Sequence, residues 1–192
     1  AYTVATRPLS FYELMEQAGS AFVRAFTARY PDRSRKISVY AGTGNNGGDG
    51  LVTARLLHDM GYRDVSARVV WFNTRGTDDF QANYTKVKEL GIPHTDIRGI
   101  EGIPEEGAEL VIDALLGTGL SRPLEGEWGI LVEYLNGLEA TRVAVDIPTG
   151  FPSEGPVVRG ATMLEADHVI TFQRPKVNFL LPESGGVIPH FV

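Results

Sequence analysis

The sequence predicts a single α/β domain whose mainly parallel sheet is covered by helices on both faces. Short apolar segments alternate with segments whose apolar residues recur at helical spacing, which is typical of βαβ units. Glycine-rich segments repeatedly follow the predicted strands, as loops at the ends of parallel strands do. The length of 192 residues and the hydrophobic content of 43% suit one domain, here residues 1–192, with a closed core.

The expected elements follow one another in regular order. Ser10 and Glu13 have the spacing of a capping box, which predicts a helix that begins there and ends near Tyr30, before Pro31. Apolar stripes at helical spacing predict further helices at about 51–60, 80–90 and 130–138. Short apolar runs predict strands at 37–40, 65–72, 110–113, 142–146 and 168–172, with an additional short strand at 92–95.

Composition excludes several classes of protein. The absence of cysteine excludes disulfides, thiolate nucleophiles and thiolate metal sites. The formal charge of −6 disfavours a nonspecific grip on nucleic acid, which needs a basic face. No apolar run approaches the roughly 18 residues that a membrane span requires, and the first residues lack the layout of a secretory signal. We therefore expect a cytoplasmic globular protein that binds neither nucleic acid nor membranes.

The strongest local motif is a glycine-rich loop, residues 42–50, directly after the first predicted strand. It contains GxGxxG, whose glycines let the backbone approach a phosphate at a helix N-terminus. A glycine-rich turn without a ligand is the alternative. An ordinary NAD-binding site is disfavoured because the second strand ends without the expected acid, and because Asp49 would lie at the mouth of the helix. No Gly-Lys-Ser/Thr of a Walker loop follows.

Two further predicted strands end in an acid that runs into a glycine loop, Asp113 before DALLGTGLSRP and Asp146 before DIPTG. Ligands of open α/β sheets bind outside these carboxyl ends. Asn46, Asp113 and Thr149 would then form a cluster of oxygen atoms with one formal charge, which suits a monovalent cation better than Ca²⁺ or Mg²⁺. The alternative is that the three side chains only hydrogen-bond to one another. Lys176, after the last strand, either pairs with a phosphate or a site acid, or is solvated.

Taken together, these residues resemble the NAD(P)H-hydrate epimerase family, also called the YjeF N-terminal domain family. The matching segments are 14–19, 44–50, 113–124, 144–150 and 172–176, and the resemblance spans about residues 10–181. GNNGGDG followed by DALLGTG is far more specific than GxGxxG alone. The resemblance implies a Rossmann-like three-layer sandwich, commonly a homodimer. It also implies interconversion of the R and S forms of NADH or NADPH hydrated at C6 of the nicotinamide ring, in cofactor repair.

The resemblance also implies a set of site residues. Asn46, Asp113 and Thr149 match the family's potassium ligands, one K⁺ per subunit, although Thr149 stands where the family usually has Ser. Because the hydroxyl is retained, we expect the ion site to be retained. The residues expected to bind substrate are Asn45, Asn46, Gly47, Gly48, Asp49, Gly117, Thr118, Gly119, Leu120, Ser121, Arg122, Pro123 and Asp146.

Asp146 is the first choice for the acid/base group at C6 and Asp49 the second, because a carboxylate near the ring is the natural catalyst for this inversion. Two rivals are a non-catalytic nucleotide-binding or dimerising scaffold of the same fold and an ordinary NAD-dependent oxidoreductase. The scaffold has no need of Asn46, Asp113, Asp146 and a hydroxyl at 149. The missing acid after the second strand disfavours the oxidoreductase.

The family also works with a partner, an ADP- or ATP-dependent dehydratase that converts the S form back to NAD(P)H. No segment of this sequence matches a dehydratase domain, so two expectations stand: a separate epimerase, or one part of a longer bifunctional chain. For assembly, the stripe with Phe22 and Phe26 on the first helix either packs across a two-fold interface or covers the sheet.

Overall fold

The computed structural model describes residues 10–72, 75–120, 122–158 and 160–192. Its helices are α1 (Phe11–Arg29), α2 (Asn45–Asp59), α3 (Asp78–Glu89) and α4 (Gly126–Asn136). Its strands are β1 (Lys36–Ala41), β2 (Asp64–Val70), β3 (His94–Ile97), β4 (Leu110–Ala114), β5 (Thr141–Val145) and β6 (His168–Ile170). Short 3₁₀ turns cover Ile100–Gly102, Val177–Leu180 and Pro182–Ser184.

The strands form one parallel sheet in the order β3-β2-β1-β4-β5-β6, so the predicted α/β class is confirmed. The chain builds outward from β1 through β2 to β3, then returns to the other side of β1 with β4. The reversal of strand order therefore lies between β1 and β4. In open parallel sheets the crevice at such a reversal, outside the carboxyl ends of the strands, is where ligands bind.

Helices cover the sheet in two layers. On one face, α1 and α2 bury Phe22, Phe26 and Leu57 against alternate residues of β1, β4 and β5. On the other face, α4 buries Leu131 and Leu135 against the intervening residues of the same strands. Side chains of a strand alternate between faces, which is why one short strand serves both cores. Phe22 and Phe26 are fully buried within the chain, so these two side chains cover the sheet.

Element boundaries differ from the sequence expectation mainly at the site. The capping box is confirmed: Glu13 N donates to Ser10 Oγ, and Ser10 N donates to the Glu13 carboxylate. Helix α2 begins at Asn45, six residues before the first apolar position of its stripe, so the second half of the glycine-rich loop is helical. Asp49 consequently lies in the second turn of α2 and not at its mouth. Within the described part of the chain, no helix combines the length and apolar character needed to cross a membrane.

Candidate active site

The site lies where β1, β4, β5 and β6 end, because parallel strands bring their carboxyl ends to one edge. Close backbone contact fixes the helix that follows β1. A Cβ at Gly47 would lie 1.7 Å from the Gly42 carbonyl oxygen, and a Cβ at Gly42 would lie 2.0 Å from the Leu115 carbonyl oxygen. Only glycine fits these two positions. The first turn of α2 is thereby pressed against the end of β1, and the end of β1 against the loop after β4.

Asp113, at the end of β4, holds the loop after β5 through its carboxylate. Its Oδ1 accepts hydrogen bonds from Thr149 Oγ1 at 2.7 Å and from Leu115 N at 3.1 Å. Its Oδ2 accepts from Thr149 N at 2.8 Å. Asp113 is completely buried, and this burial raises its pKa to about 6, against the opposing effect of the three donors. The carboxylate therefore joins β4 to the loop that carries Thr149.

Asn46 reaches the same cluster through the main chain of Leu116. Its Nδ2 donates to Leu116 O at 3.2 Å, while Leu116 N donates to Thr149 Oγ1 at 3.1 Å. Asn46, Asp113 and Thr149, called the strand-end cluster below, are thus brought together as the sequence predicted. No group of three or more His, Cys, Asp or Glu side chains suited to a metal ion occurs among the described residues. The strand-end cluster, with its single carboxylate, is not of that kind.

Asp146 follows β5 directly and has a left-handed backbone conformation, φ 65°. Its Oδ1 accepts three hydrogen bonds: from Lys176 Nζ at 2.7 Å, from Phe172 N at 2.9 Å and from Thr171 Oγ1 at 3.1 Å. The side chains of Asp146 and Lys176 are 17% and 18% exposed, so the pair is largely shielded from water. Of the alternatives for Lys176, the structure shows pairing with an acid of the site.

A cavity of about 460 Å³ opens beside this pair. One wall comes from α1, through Phe11, Leu14, Met15, Gln17, Ala18 and Ala21. The opposite lining comes from the other elements at the strand ends. It is mostly polar and consists of Asn45, Asp49, Asp79, Thr118, Asp146, Phe172, Gln173 and Lys176. The cavity therefore offers a partly apolar ligand one apolar wall and a set of hydrogen-bonding groups.

Asp49 is the second carboxyl group of this cavity. Burial raises its pKa to about 8, with the negative charge of Asp146 adding to the effect. Among the described residues no group donates a hydrogen bond to the Asp49 carboxyl. At neutral pH most of this group is therefore the neutral acid, although it lies in a space that also contains an ion pair. Two carboxyl groups whose surroundings differ in this way are suited to acid and base roles.

The loop after β4 contributes to more than one cavity. Thr118 lines the cavity described above, and Gly117 packs on Asn46, whose Cβ would be 3.3 Å from a Cβ at 117. A neighbouring cavity of about 240 Å³ is lined by residues that include Leu120, Arg122 and Pro123. Gly119 has open space around its α-carbon. Ser121 lies outside the described residues.

Several groups at the site were not expected from sequence. Thr171 and Phe172 fix Asp146, and Gln17, Asp79 and Gln173 line the cavity. The apolar stripe of α1 was expected either to cover the sheet or to pack across a two-fold interface, yet part of it faces the cavity. The LMEQAG segment of that helix belongs to the family resemblance, and this was the available signal for its role. Gly48 lets α2 pack closely against this segment of α1, since a Cβ at position 48 would lie 2.5 Å from Met15 Cε.

Comparisons with known proteins identify the family of this chain. Residues 12–178 match the family model described as YjeF-related protein N-terminus. The chain is 39% identical over 180 residues to the bifunctional NAD(P)H-hydrate repair enzyme Nnr of Thermofilum pendens, covering 90% of this chain and 34% of that protein. It is 35% identical over 171 residues to the NAD(P)H-hydrate epimerase of Limosilactobacillus fermentum, covering 89% of this chain and 79% of that protein.

A solved structure confirms the fold. The crystal structure of the yeast protein ynu0 superimposes with a TM-score of 0.72 at 24% sequence identity, and it covers 88% of this chain and 73% of that one. The bifunctional relatives are much longer than this chain. The bifunctional enzyme of Escherichia coli, for example, is 34% identical to this chain over 194 residues. The match covers 34% of that enzyme. The chain thus spans about a third of the bifunctional proteins it matches.

Proposed function

This chain belongs to the family of YjeF-related protein N-termini, and on that basis we propose that it is an NAD(P)H-hydrate epimerase, an isomerase that interconverts the R and S forms of hydrated NADH or NADPH. The family match, the relatives named as epimerases and the strand-end site support this activity together. The observation that carries the proposal is the cavity in which Asp49 and the Asp146–Lys176 pair meet. A scaffold protein has no use for a shielded carboxyl group without a protein partner.

The reaction inverts one carbon, so the site must give and take protons around that carbon. Asp146 is suited to the role of base, because its Oδ1 is held by three donors while Oδ2 has no hydrogen bond to the described residues. A fixed carboxylate within hydrogen-bond reach of the reacting group contributes typically 10²- to 10⁴-fold in rate. The apolar wall of α1 would cover the nicotinamide ring and keep bulk water away from C6.

The diphosphate of the substrate would lie along the glycine-rich backbone. Amide N–H groups at the start of α2, Asn45 to Gly47, have no carbonyl acceptor within the helix and lie at its N-terminus, where negative charge is favoured. The loop 117–123 would supply further contacts, with Arg122 beside the neighbouring cavity as its one cation. Holding phosphates mainly by backbone groups fits a chain with a net charge of −6.

The strand-end cluster fits a potassium ion. Asp113 is a completely buried carboxylate, and no cationic side chain pairs with it among the described residues. A buried charge of this kind is costly unless a partner compensates it. Asn46 and Thr149 add neutral oxygen atoms, and the single charge suits a monovalent ion. When bound, K⁺ would offset phosphate charge and hold the three loops in one arrangement.

The test of the activity uses the mixed R and S hydrates of NADPH together with an S-specific dehydratase. The dehydratase alone converts only the S half of the mixture. Adding this protein should bring conversion to completion, because the R form is continuously turned into the S form. Conversion that stops at half would rule out epimerisation. Boiled protein and the dehydratase alone are the matched controls.

Three finer expectations belong to the same proposal. The protein would act in the cytoplasm, together with an ADP- or ATP-dependent dehydratase, either separate or fused as the bifunctional relatives suggest. It would also form a homodimer. Phe22 and Phe26 are buried within one chain, so the dimer surface must be elsewhere. Light scattering at micromolar concentration should give twice the 20.9 kDa mass of the chain, and the monomer mass would contradict the dimer.

A further inference from the structure

Asp49 differs from every other acid at the strand ends in having no partner. Asp113 is held by Thr149 and Leu115, and Asp146 is held by Lys176 and the segment after β6. The Asp49 carboxyl receives no hydrogen bond from a described residue, although it is mostly buried and lines the cavity. A carboxyl group in such a position destabilises the fold unless a ligand uses it. Asp49 was the second choice for the acid/base group from sequence, and the proposed function gives a catalytic role, that of base, only to Asp146.

The charged groups that face Asp49 come from three elements. Asp146 follows β5, Lys176 follows β6, and Asp79 lies in the first turn of α3. The lining that α1 contributes is uncharged. Lys176 is engaged with Asp146 at 2.7 Å and so neutralises part of the negative charge beside Asp49. Asp49, with its raised pKa, therefore shares one cavity with a carboxylate held by a lysine.

Inversion at C6 of the substrate needs both a group that donates a proton and a group that accepts one. C6 of the hydrate carries a hydroxyl group and is bonded to the ring nitrogen N1. If an acid protonates the hydroxyl, the C6–O bond breaks and its electron pair leaves with oxygen as water. The lone pair of N1 then forms a C=N bond, which leaves a flat cation at C6. Water returns to the other face, a new C6–O bond forms, and a base takes the proton. Nothing is consumed overall.

We propose that Asp49 is a second catalytic residue, which donates the proton to the departing C6 hydroxyl in one direction while Asp146 accepts the proton of the returning water. In the opposite direction the two residues exchange roles. After each turnover the proton returns from Asp146 to Asp49 through solvent, so the balance of protons is restored. This assignment rests on the proposed epimerase function and deepens it to a two-carboxyl mechanism with C6–O cleavage.

The first test compares Asp49→Asn with Asp59→Asn, a matched change at the exposed end of the same helix. Asp49→Asn should lower kcat by about 10²-fold or more, with substrate Kd within a few-fold of wild type. The kcat/KM of the wild type should fall above pH 8, near the pKa of about 8 that burial gives Asp49, and this fall should disappear in Asp49→Asn. Asp59→Asn should retain both kcat and the pH profile.

Asp49→Glu is the second variant, because the cavity has room for one more methylene and the carboxyl group is kept. It should recover part of the lost turnover and show the alkaline fall again. If Asp49→Asn turns over within threefold of wild type with an unchanged pH profile, Asp49 is not catalytic. In that case the epimerase function itself still stands, since the wild type is active in the same assay.

The third measurement needs no variant and so does not depend on folding of a mutant. Wild-type protein is incubated with the pure S hydrate in H₂¹⁸O, and the R product is analysed by mass spectrometry. Each molecule of product should carry one ¹⁸O atom, because the returning water comes from the solvent. Product that retains ¹⁶O would contradict the addition of a solvent water to C6 and would overturn the mechanism as proposed. A wild type that yields no R product would overturn the epimerase function instead.

Discussion

The strand-end cluster and the cavity lie at the same edge of the sheet, yet they treat their carboxyl groups in opposite ways. Asp113 uses both oxygen atoms to accept hydrogen bonds from the protein and is closed to solvent. Asp49 faces open space and receives no bond from the described residues. Both have a raised pKa because of burial, to about 6 and about 8 respectively. The same physical cause therefore produces a structural joint in one case and a free proton donor in the other.

The difference shows that carboxyl groups at the same edge of a parallel sheet can have separate roles, one structural and one in the cavity. Asp113 is central, near the end of β4, where it is closed to solvent and tied to the loop after β5. Asp49 and Asp146 line the cavity, which has α1 as one of its walls. Each of the following changes either breaks this division or measures it.

The largest effect is expected for Gly47→Ala, because the new Cβ would lie 1.7 Å from the Gly42 carbonyl oxygen. The first turn of α2 must then move, which disturbs Asn46 and Asp49 together. We expect a loss of about 4 kcal/mol or more in the free energy of unfolding, measured with urea. Gly186→Ala is the control, since its Cβ would meet nothing within 4 Å. An equal effect of the two changes would contradict the close contact.

Asp113→Ala should break the strand-end cluster while leaving the cavity groups in place. It leaves Thr149 N and Leu115 N as buried donors without an acceptor, at a cost of about 3 kcal/mol. It also removes the single charge of the proposed ion site, so K⁺ should no longer stabilise the protein. Thermal unfolding with K⁺ and with a large organic cation, for wild type and variant, measures both. An anomalous diffraction map with Rb⁺ that is empty at this site in the wild type would contradict the ion.

Asp146→Asn tests the cavity without disturbing the cluster. Asn keeps the shape of the side chain and tolerates the left-handed backbone, but it cannot act as a base. Turnover should fall by about 10²-fold or more, with binding of the hydrate within a few-fold of wild type. Stopped-flow binding and steady-state assays provide the two numbers. Equal losses in both would make Asp146 a binding residue.

Asp49→Asn should increase stability in a pH-dependent way. The folded pKa of about 8 lies above the ordinary value of 3.8 for an aspartate, so between these values the folded protein holds a proton that the unfolded chain has released. Wild-type stability is therefore lost as pH rises from about 4 to about 8, and Asn removes this loss. The variant should be near equal to wild type in stability at pH 4 and should become progressively more stable than wild type as the pH rises to 8. A gap that stays constant with pH would show that Asp49 is not perturbed.

Thr149→Ser should have the smallest effect. The hydroxyl that donates to Asp113 Oδ1 and accepts from Leu116 N is kept, and only a methyl group in a buried place is lost. We expect less than about 1.5 kcal/mol in stability and turnover within threefold. Thr149→Val is the matched contrast: it retains the size and removes the hydroxyl, so it should cost more. If Val is tolerated as well as Ser, the hydroxyl does not hold the cluster.

Much of this arrangement could be predicted from sequence because it depends on local pattern and chain order. Alternating apolar runs gave the elements, and acids at strand ends gave Asp113 and Asp146 their common edge. The sequence placed Asp49 at the N-terminus of the helix. This was wrong, because α2 begins six residues before its apolar stripe does. Close backbone contacts at Gly42 and Gly47 fix where α2 begins. Such contacts cannot be read from hydrophobic periodicity.

The cavity wall from α1 and the role of the segment after β6 were not predictable in the same way. A helix stripe specifies which residues are apolar, and the packing of neighbouring helices decides which of them reach the sheet. Leu14 and Ala18 extend beyond the sheet edge and face the cavity, whereas Phe22 and Phe26 lie over the sheet. Lys176 was expected either to be paired or to be solvated. Only the three-dimensional approach of its segment to Asp146 distinguishes the two.

Asp146 connects the strands β5 and β6 as well as lining the cavity. Its backbone N–H donates to Ile170 O, and its carboxylate accepts from Phe172 N, so one residue ties β5 to β6 from both sides of the bend. A mutational scan that recorded only the abundance of folded protein would therefore mark Asp146 as important. The same scan would mark Asp49 as a position to improve. Selection for stability alone would keep one carboxylate and discard the other, whereas a scan that also recorded turnover should require both.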